Sequence, residues 1–302
     1  MWLPITTTPT TPCTPNRNTQ MTPDSYTIRT MTADQLALAI DWAAAEGWNP
    51  GLEDAACFRA GDPDGFLVGL IGDRPVASIS VVAYGESFGF LGFYIVHPDF
   101  RGQGLGRRLW QAGMARLGAR TVGLDGVVAQ QGNYAKSGFV LAHRNLRYGG
   151  TVAVGDPPGG LAPIQAQDID RIVAYDRGCF SAARDAFLRC WLDPVRRTAL
   201  WAPGPQGDVT GYGVLRRCRD GHKIGPLFAD TPEIAERLFL GLAAHAAGGP
   251  VYLDPPQPNV AAVAMAERFG LAPVFETART YKGPAPDLPL DRIFGIATFE
   301  LG

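Results

Sequence analysis

The sequence of 302 residues predicts a mixed α/β protein made of two tandem halves, each a central, mostly antiparallel sheet flanked by helices. Three observations carry this reading. The length suits two domains of about 100–200 residues each. From Tyr26 onward, apolar residues alternate between strand and helix spacing. The close of the first half, Lys136-Ser137-Gly138-Phe139 to Arg147-Tyr148, is echoed by Arg268-Phe269-Gly270-Leu271 to Arg279-Thr280-Tyr281.

The elements follow in order. Residues 1–25 are rich in Thr, Pro and Asn and read as a disordered tail, within which Met21 is an alternative start. Tyr26–Thr30 reads as a strand. Thr32 is placed to cap a helix in which Leu36, Ile40 and Ala43-Ala44 share one face. Gly65–Gly72 and Pro75–Ala83 are apolar runs joined by Gly72-Asp73-Arg74, a hairpin signature. Phe88–Val96 is a further strand, stopped by His97-Pro98. Leu105–Leu117 is a helix, Thr121–Val127 a strand, Gln130–Ser137 a short helix and Phe139–Tyr148 a closing strand. This sets a first domain over 26–148. Gly149–Gly160, with five glycines and two prolines, is the linker, and 161–302 forms the second domain. There the strand Ala162–Ile164 and the helix opening Gln167-Asp168 repeat the start of the first half.

Composition narrows the function classes. Hydrophobic residues make up 46% and charged residues 19%, the balance of a globular chain, and the net charge of −2 offers no field for nucleic acid or an anionic membrane. Five scattered cysteines without a C-x-x-C pair argue against a disulfide framework and for a reducing cytoplasm. Four separated histidines give no metal-ligand spacing. No apolar run approaches the ~18 residues of a membrane span, and the first residues lack the pattern of a secretory signal.

The segment from Phe93 to Leu109 carries the chemistry: strand, proline stop, arginine, alternating glycines, helix. A helix N-terminus has unpaired amides and a partial positive charge that bind anions. Glycines at 102, 104 and 106 clear Cβ atoms from those amides, while Arg101 and Arg107 add charged donors, an arrangement that suits a pyrophosphate. The plain alternative is a glycine-rich turn ahead of a surface helix. The pattern is neither a dinucleotide fingerprint nor a Walker loop, since Gly106 is followed by Arg107-Arg108.

Arg101, Gly104 and Gly106 complete the Arg/Gln-x-x-Gly-x-Gly/Ala loop of the GNAT acetyltransferases, which this segment resembles; Tyr134-Ala135-Lys136-Ser137-Gly138-Phe139 resembles that family's closing Tyr-x-x-x-Gly-Phe. The resemblance covers 26–148. The second half is similar to the C-terminal domain of tandem GNAT proteins in Lys223–Ala229, Asn259–Ala262 and Thr298–Gly302. It departs from the pattern where Gly225-Pro226 replaces the phosphate loop and Ala266 stands for Tyr134, which implies a degenerate cofactor site.

What the resemblance implies is a splayed sheet and acetyl-CoA as co-substrate, with no metal. The CoA would be bound by the main chain of Tyr94 and Val96, by the loop Arg101, Gly102, Gln103, Gly104, Leu105, Gly106 and Arg107, and by Asn133, although Asn133 suits a helix cap equally well. Acetyl would pass to a primary amine of a small molecule or protein lysine by direct attack through a tetrahedral intermediate. The Val96 amide would support the oxyanion and Tyr134, with a reference pKa near ~10, would protonate the leaving thiolate. Asp125, an acid in an apolar strand, is the candidate base or amine anchor, with Glu86 the other choice; either also suits a turn or surface carboxylate.

Trp42, Trp48 and Phe58 line an acceptor pocket or close the core. Arg184 in the second half either binds an acceptor carboxylate or makes an interdomain pair, and Cys179-Phe180 is placed to face the first half. Monomer and homodimer are both compatible. A catalytically silent CoA-binding regulator, or a recruiting role for the second half, is the alternative to the enzyme.

Overall fold

The computed structural model describes residues 26–302, so the tail expected over 1–25, with Cys13 and Met21, lies outside the described residues. Local signals set the element ends. The Thr32 hydroxyl accepts from the Gln35 amide and the Gln35 side chain accepts from the Thr32 amide, a reciprocal cap that starts α1 (Ala33–Ala45) after β1 (Tyr26–Thr30). There follow α2 (Asp54–Gly61), β2 (Phe66–Ile71), β3 (Arg74–Tyr84), β4 (Phe88–Val96), α3 (Leu105–Leu117), β5 (Thr121–Val127), α4 (Gln131–Lys136) and β6 (Val140–Gly150). β6 therefore takes in Gly149 and Gly150, which the sequence reads as linker.

The second half repeats this order element for element: β7 (Ala162–Pro163), α5 (Ile169–Asp176), α6 (Asp185–Trp191), β8 (Thr198–Pro203), β9 (Val209–Arg217), β10 (His222–Ala229), α7 (Pro232–Ala243), β11 (Val251–Leu253), α8 (Val260–Arg268) and β12 (Ala272–Lys282). A short β13 (Ile293–Gly295) follows. The fold is thus a duplicated α/β unit.

The two sheets are joined by exchange. The strand order is β1-β2-β3-β4-β5-β12-β6-β11-β10-β9-β8-β7, so β12 completes the first half's sheet and β6 the second's. The two exchanged strands pair antiparallel with each other from Ala272↔Gly149 to Tyr281↔Val140. This seam makes one continuous sheet with approximate two-fold symmetry.

Helices cover both faces. On one, α3 packs over Ile79, Val81, Leu91 and Leu124. The other face carries a core shared by the halves, where Phe58 of α2 stacks between Phe66 and Trp191 of α6 at centroid distances of 6.4 and 6.2 Å. Here one expectation is corrected: Cys57 and Cys190 are disulfide-bonded, with Cα atoms 5.1 Å apart. They are 133 residues apart in sequence, so neighbour spacing carries no sign of them. The duplication puts them on the equivalent helices α2 and α6, which meet across the pseudo-symmetry axis. Cys179 and Cys218 are buried free thiols.

Candidate active site

β4 and β5 run parallel and paired only from Phe88↔Thr121 to Leu91↔Leu124. Beyond that point they part. The cause sits in β4: between Ser80↔Gly92 and Ser78↔Ile95 it carries an extra residue, a bulge in which Phe93 adopts φ +45° and its carbonyl accepts from the Ser78 hydroxyl at 2.8 Å. After the bulge, the His97 amide donates to Val76 of β3. Because N–H groups alternate sides along a strand, those of Val96 and Tyr94 point away from β3, into the gap.

The gap opens into a cavity of about 410 Å³ that passes through the sheet. On the α3 face its wall includes Tyr94, Val96, Leu124 and Tyr134. On the opposite face it includes Trp48, Phe93, Phe275 and Phe299, with Glu300 beside them. Phe275 comes from β12 and Phe299 and Glu300 from the segment after β13, so the second half builds one mouth of a channel whose other mouth belongs to the first.

The glycine loop lies at the α3 mouth. Gly102 and Gly104 have φ of +77° and +78°, a left-handed turn that only glycine adopts without strain, and Gly104 caps α3 without a side chain over the free amides. Gly106 has a different reason: a Cβ there would lie 2.7 Å from Val96 Cγ2 and 2.8 Å from Tyr94 Oη. Leu105 anchors the turn in a cluster with Tyr26, Ile71 and Val76. Gln103 is exposed on the loop and donates to the Asp99 carbonyl, and Arg107 is exposed in the first turn of α3. Arg101 is engaged: its Nε donates to the Val96 carbonyl at 2.9 Å and its Nη2 to Glu46 at 2.5 Å.

Tyr134 stands on the same side, stacked on Trp110 at 5.9 Å, over Gly126, where a Cβ would strike its ring at 2.3 Å. Burial pushes its hydroxyl up to about 12, which keeps it protonated. Asn133 does not join this group; it is exposed and donates to Gln130.

Asp125 lines the cavity with a fully buried side chain, but it is committed. Its oxygens accept from Arg279 Nε and Nη2, both at 2.7 Å, and Oδ1 also accepts from Asn145 at 2.8 Å. Burial raises its carboxyl above the usual range while Arg279 and Asn145 pull it down. These partners sit on β12 and β6, so Asp125 fastens the exchanged strands. Glu86 lies in the turn before Phe88, at the paired end of β4 and away from the gap.

Other expectations meet different outcomes. Trp48 lines the cavity, held by Arg147, whose Nη1 donates to its carbonyl at 2.7 Å, while Lys223 Nζ donates to Asn49 at 3.0 Å. Arg147 is itself buried and paired through two bonds with Asp254. Phe58 is core, and Trp42 packs on it and on His97. Arg184 makes neither an acceptor site nor an interdomain pair; it is buried in a two-bond pair with Asp176 of its own half. Phe180 does reach the first half, edge-on to Tyr84 and Phe88.

The second half's equivalent gap lies between β10 and β11, paired only from His222↔Val251 to Ile224↔Leu253. β13 fills it, pairing with β10 at Leu227↔Gly295 and Phe228↔Ile293. Gly225-Pro226 is not the loop position, as the sequence reading had it, but a cis step inside β10. The loop itself has shrunk to Asp230-Thr231, with Thr231 capping α7.

Glu300 was missed as a site residue because nothing local distinguishes it. Among the described residues, no group of three or more His, Cys, Asp or Glu is arranged to hold a metal ion, and no helix is long and apolar enough to cross a membrane.

Comparison with known proteins agrees with this architecture. The model of the acetyltransferase (GNAT) family matches residues 33–139, and that of an acetyltransferase (GNAT) domain matches 172–295. The holothin acyltransferase of Pseudoalteromonas sp. (strain SANK 73390) is 33% identical over 92% of this chain and 95% of its own length. Among solved structures, a Pyrococcus horikoshii chain assigned as an acetyltransferase superposes with a TM-score of 0.76 at 23% identity, covering 96% of this chain and 100% of that one. A tandem GNAT protein from the clavulanic acid pathway superposes at 0.59 with 16% identity, over 86% and 99% of the two chains. The two matched domains and the full-length relative place this chain in the GNAT family, as an acyltransferase with two GNAT domains in tandem.

Proposed function

We infer that the enzyme transfers an acetyl group from acetyl-CoA to the primary amine of a small molecule, in the cytoplasm. The observation that carries this is the channel through the sheet, with free helix amides at one mouth and a wall from the other half at the second. The residues present fit an acyl-CoA. The first-turn amides of α3 and exposed Arg107 would hold the diphosphate, and the main chain of Tyr94 and Val96 would line the path of the pantetheine. Bound there, the CoA supplies a thioester carbonyl for attack. The Val96 amide supports charge growing on the carbonyl oxygen, and the Tyr134 hydroxyl protonates the leaving sulfur.

An acceptor approaching from the opposite mouth passes Trp48, Phe275 and Phe299, a wall from both halves that favours an enclosed small molecule over a protein lysine. Holothin, named for the relative from Pseudoalteromonas, is the first acceptor to try. The test is thiol release from acetyl-CoA across holothin, amino acids, polyamines, aminoglycosides and lysine peptides. Turnover with a small amine supports the reading, whereas turnover with peptides alone, or only with a longer acyl-CoA, corrects it. A reducing cytoplasm disfavours the Cys57–Cys190 bond, so protein isolated under alkylating conditions tests the location: free thiols at both positions support the cytoplasm, and an intact bond overturns it.

A further inference from the structure

A base is needed on the acceptor's side of the sheet. Asp125 is held by Arg279 and Asn145, and Glu86 is at the wrong end of β4. One carboxylate at the cavity has no such commitment. Glu300 is 3% exposed, lines the channel, and its Oε1 has no hydrogen-bond partner among the described residues. A buried carboxylate oxygen without a partner costs about 1–3 kcal/mol, which a hydrogen bond from an incoming amine would offset.

The fold goes to some length to place it. The main chain of Glu300 runs against Gly92 in the β4 bulge, where a Cβ would lie 2.3 Å from the Glu300 carbonyl. The Ser80 hydroxyl donates to that carbonyl at 3.4 Å, Tyr84 donates to the carbonyl of Leu301 at 3.0 Å, and the Thr298 hydroxyl accepts from the amides of Glu300 and Leu301. The segment after β13 is thereby led out of the second half's gap and up to the first half's.

We propose that Glu300, supplied by the second half, is the general base that accepts the proton of the attacking amine. The assignment rests on the acyl-transfer reading above. As the amine nitrogen bonds to the thioester carbon, its proton passes to the Glu300 carboxylate; as the carbon–sulfur bond breaks, the Tyr134 hydroxyl gives its proton to sulfur. Exchange with water returns both groups to their starting forms. Acid and base then stand on opposite faces of the sheet, with the carbonyl between them.

The charged groups facing Glu300 are Lys223 of β10, Arg216 of β9, Arg147 of β6 and Asp54 of α2. Arg147 is shared with Asp254, and Arg216 and Arg197 with Asp54. Burial raises the Glu300 carboxyl above its usual range, against the pull of Lys223, Arg216 and Arg147. A base works deprotonated, so activity rises with pH through that raised value.

The experiment uses the full chain with acetyl-CoA and an amine it acetylates, comparing wild type, Glu300→Gln and Glu300→Asp. Glu300→Gln is expected to lower kcat by ~10²–10⁴-fold and to lose the acid limb of the pH profile, with CoA affinity by calorimetry unchanged. Glu300→Asp keeps an acid limb at reduced kcat. Wild-type kcat and an unaltered acid limb in Glu300→Gln overturn the assignment and leave the acyl-transfer reading standing. Should Glu300→Gln not fold, Glu300→Asp decides: reduced kcat with the limb retained supports the base, and undiminished kcat overturns it. If the wild type acylates no amine from any acyl-CoA, the transfer reading falls and this assignment falls with it.

Discussion

The chain contains the same ten elements twice, and the two copies treat the gap in their sheet in opposite ways. Between β4 and β5 the strands part around a bulge, and a glycine loop leaves the amides of α3 bare. Between β10 and β11 the chain fills its own gap with β13, and a two-residue connection capped by Thr231 replaces the loop. One copy leaves its gap open as a cavity, and the other uses the same opening to thread a segment that reaches the first copy's cavity. The duplicated fold thus gains a second wall for one cavity by filling the other gap.

Several substitutions sharpen or break this contrast. The sharpest contrast is expected at the helix caps. Gly104→Trp loads the φ +78° cap with a side chain over the amides and should remove about two charge-assisted bonds, weakening CoA ~100-fold or more in calorimetry. Thr231→Val, at the matching cap of α7, should leave CoA affinity alone and cost about 1 kcal/mol of stability in urea. If both variants bind CoA alike, the two gaps are not functionally distinct.

Next comes the acid. Tyr134→Phe should lower kcat ~10²–10⁴-fold with CoA affinity kept. Because an acid works protonated and this hydroxyl is pushed up to about 12, wild-type kcat should show no fall from it through the mildly alkaline range. A fall centred well below that value would place another group in the role.

The bond between the halves should matter less to chemistry than to stability. Cys57→Ser with Cys190→Ser is expected to cost about 2–4 kcal/mol in urea unfolding while leaving kcat near wild type. A large loss of kcat instead would show that the disulfide sets the cavity wall.

The smallest effects are expected where the threaded segment is tightest. A Cβ at Gly225 would lie 2.5 Å from the Ile296 carbonyl and 2.8 Å from that of Ala297, as one at Gly92 would meet Glu300. Gly225→Ala and Gly92→Ala should each cost about 1–3 kcal/mol. If Glu300 is the base, both should also lower kcat, although Gly225 lies in the second copy's gap.

Much of the first half was legible because its signals are contiguous. The strand Phe88–Val96, the helix Leu105–Leu117 and the strand Thr121–Val127 have in the structure the bounds their periodicity predicts. Alternating and helical apolar spacing depend on neighbours a few residues away, as does a glycine loop that must turn between strand and helix. The family motifs were readable for the same reason.

Asp125 shows the limit. An acid in an apolar strand is unusual in sequence, yet whether it is free or paired depends on Arg279, 154 residues on. Whether Arg184 is free likewise depends on Asp176, which the fold sets beside it. Sequence by itself therefore determined the element order, the duplication and the glycine loop ahead of α3, all products of local backbone preference. Only the tertiary structure decided the exchange of β6 with β12, the Cys57–Cys190 bond and the arrival of Glu300 at the cavity. Those depend on which distant surfaces bury one another, and no local spacing encodes that.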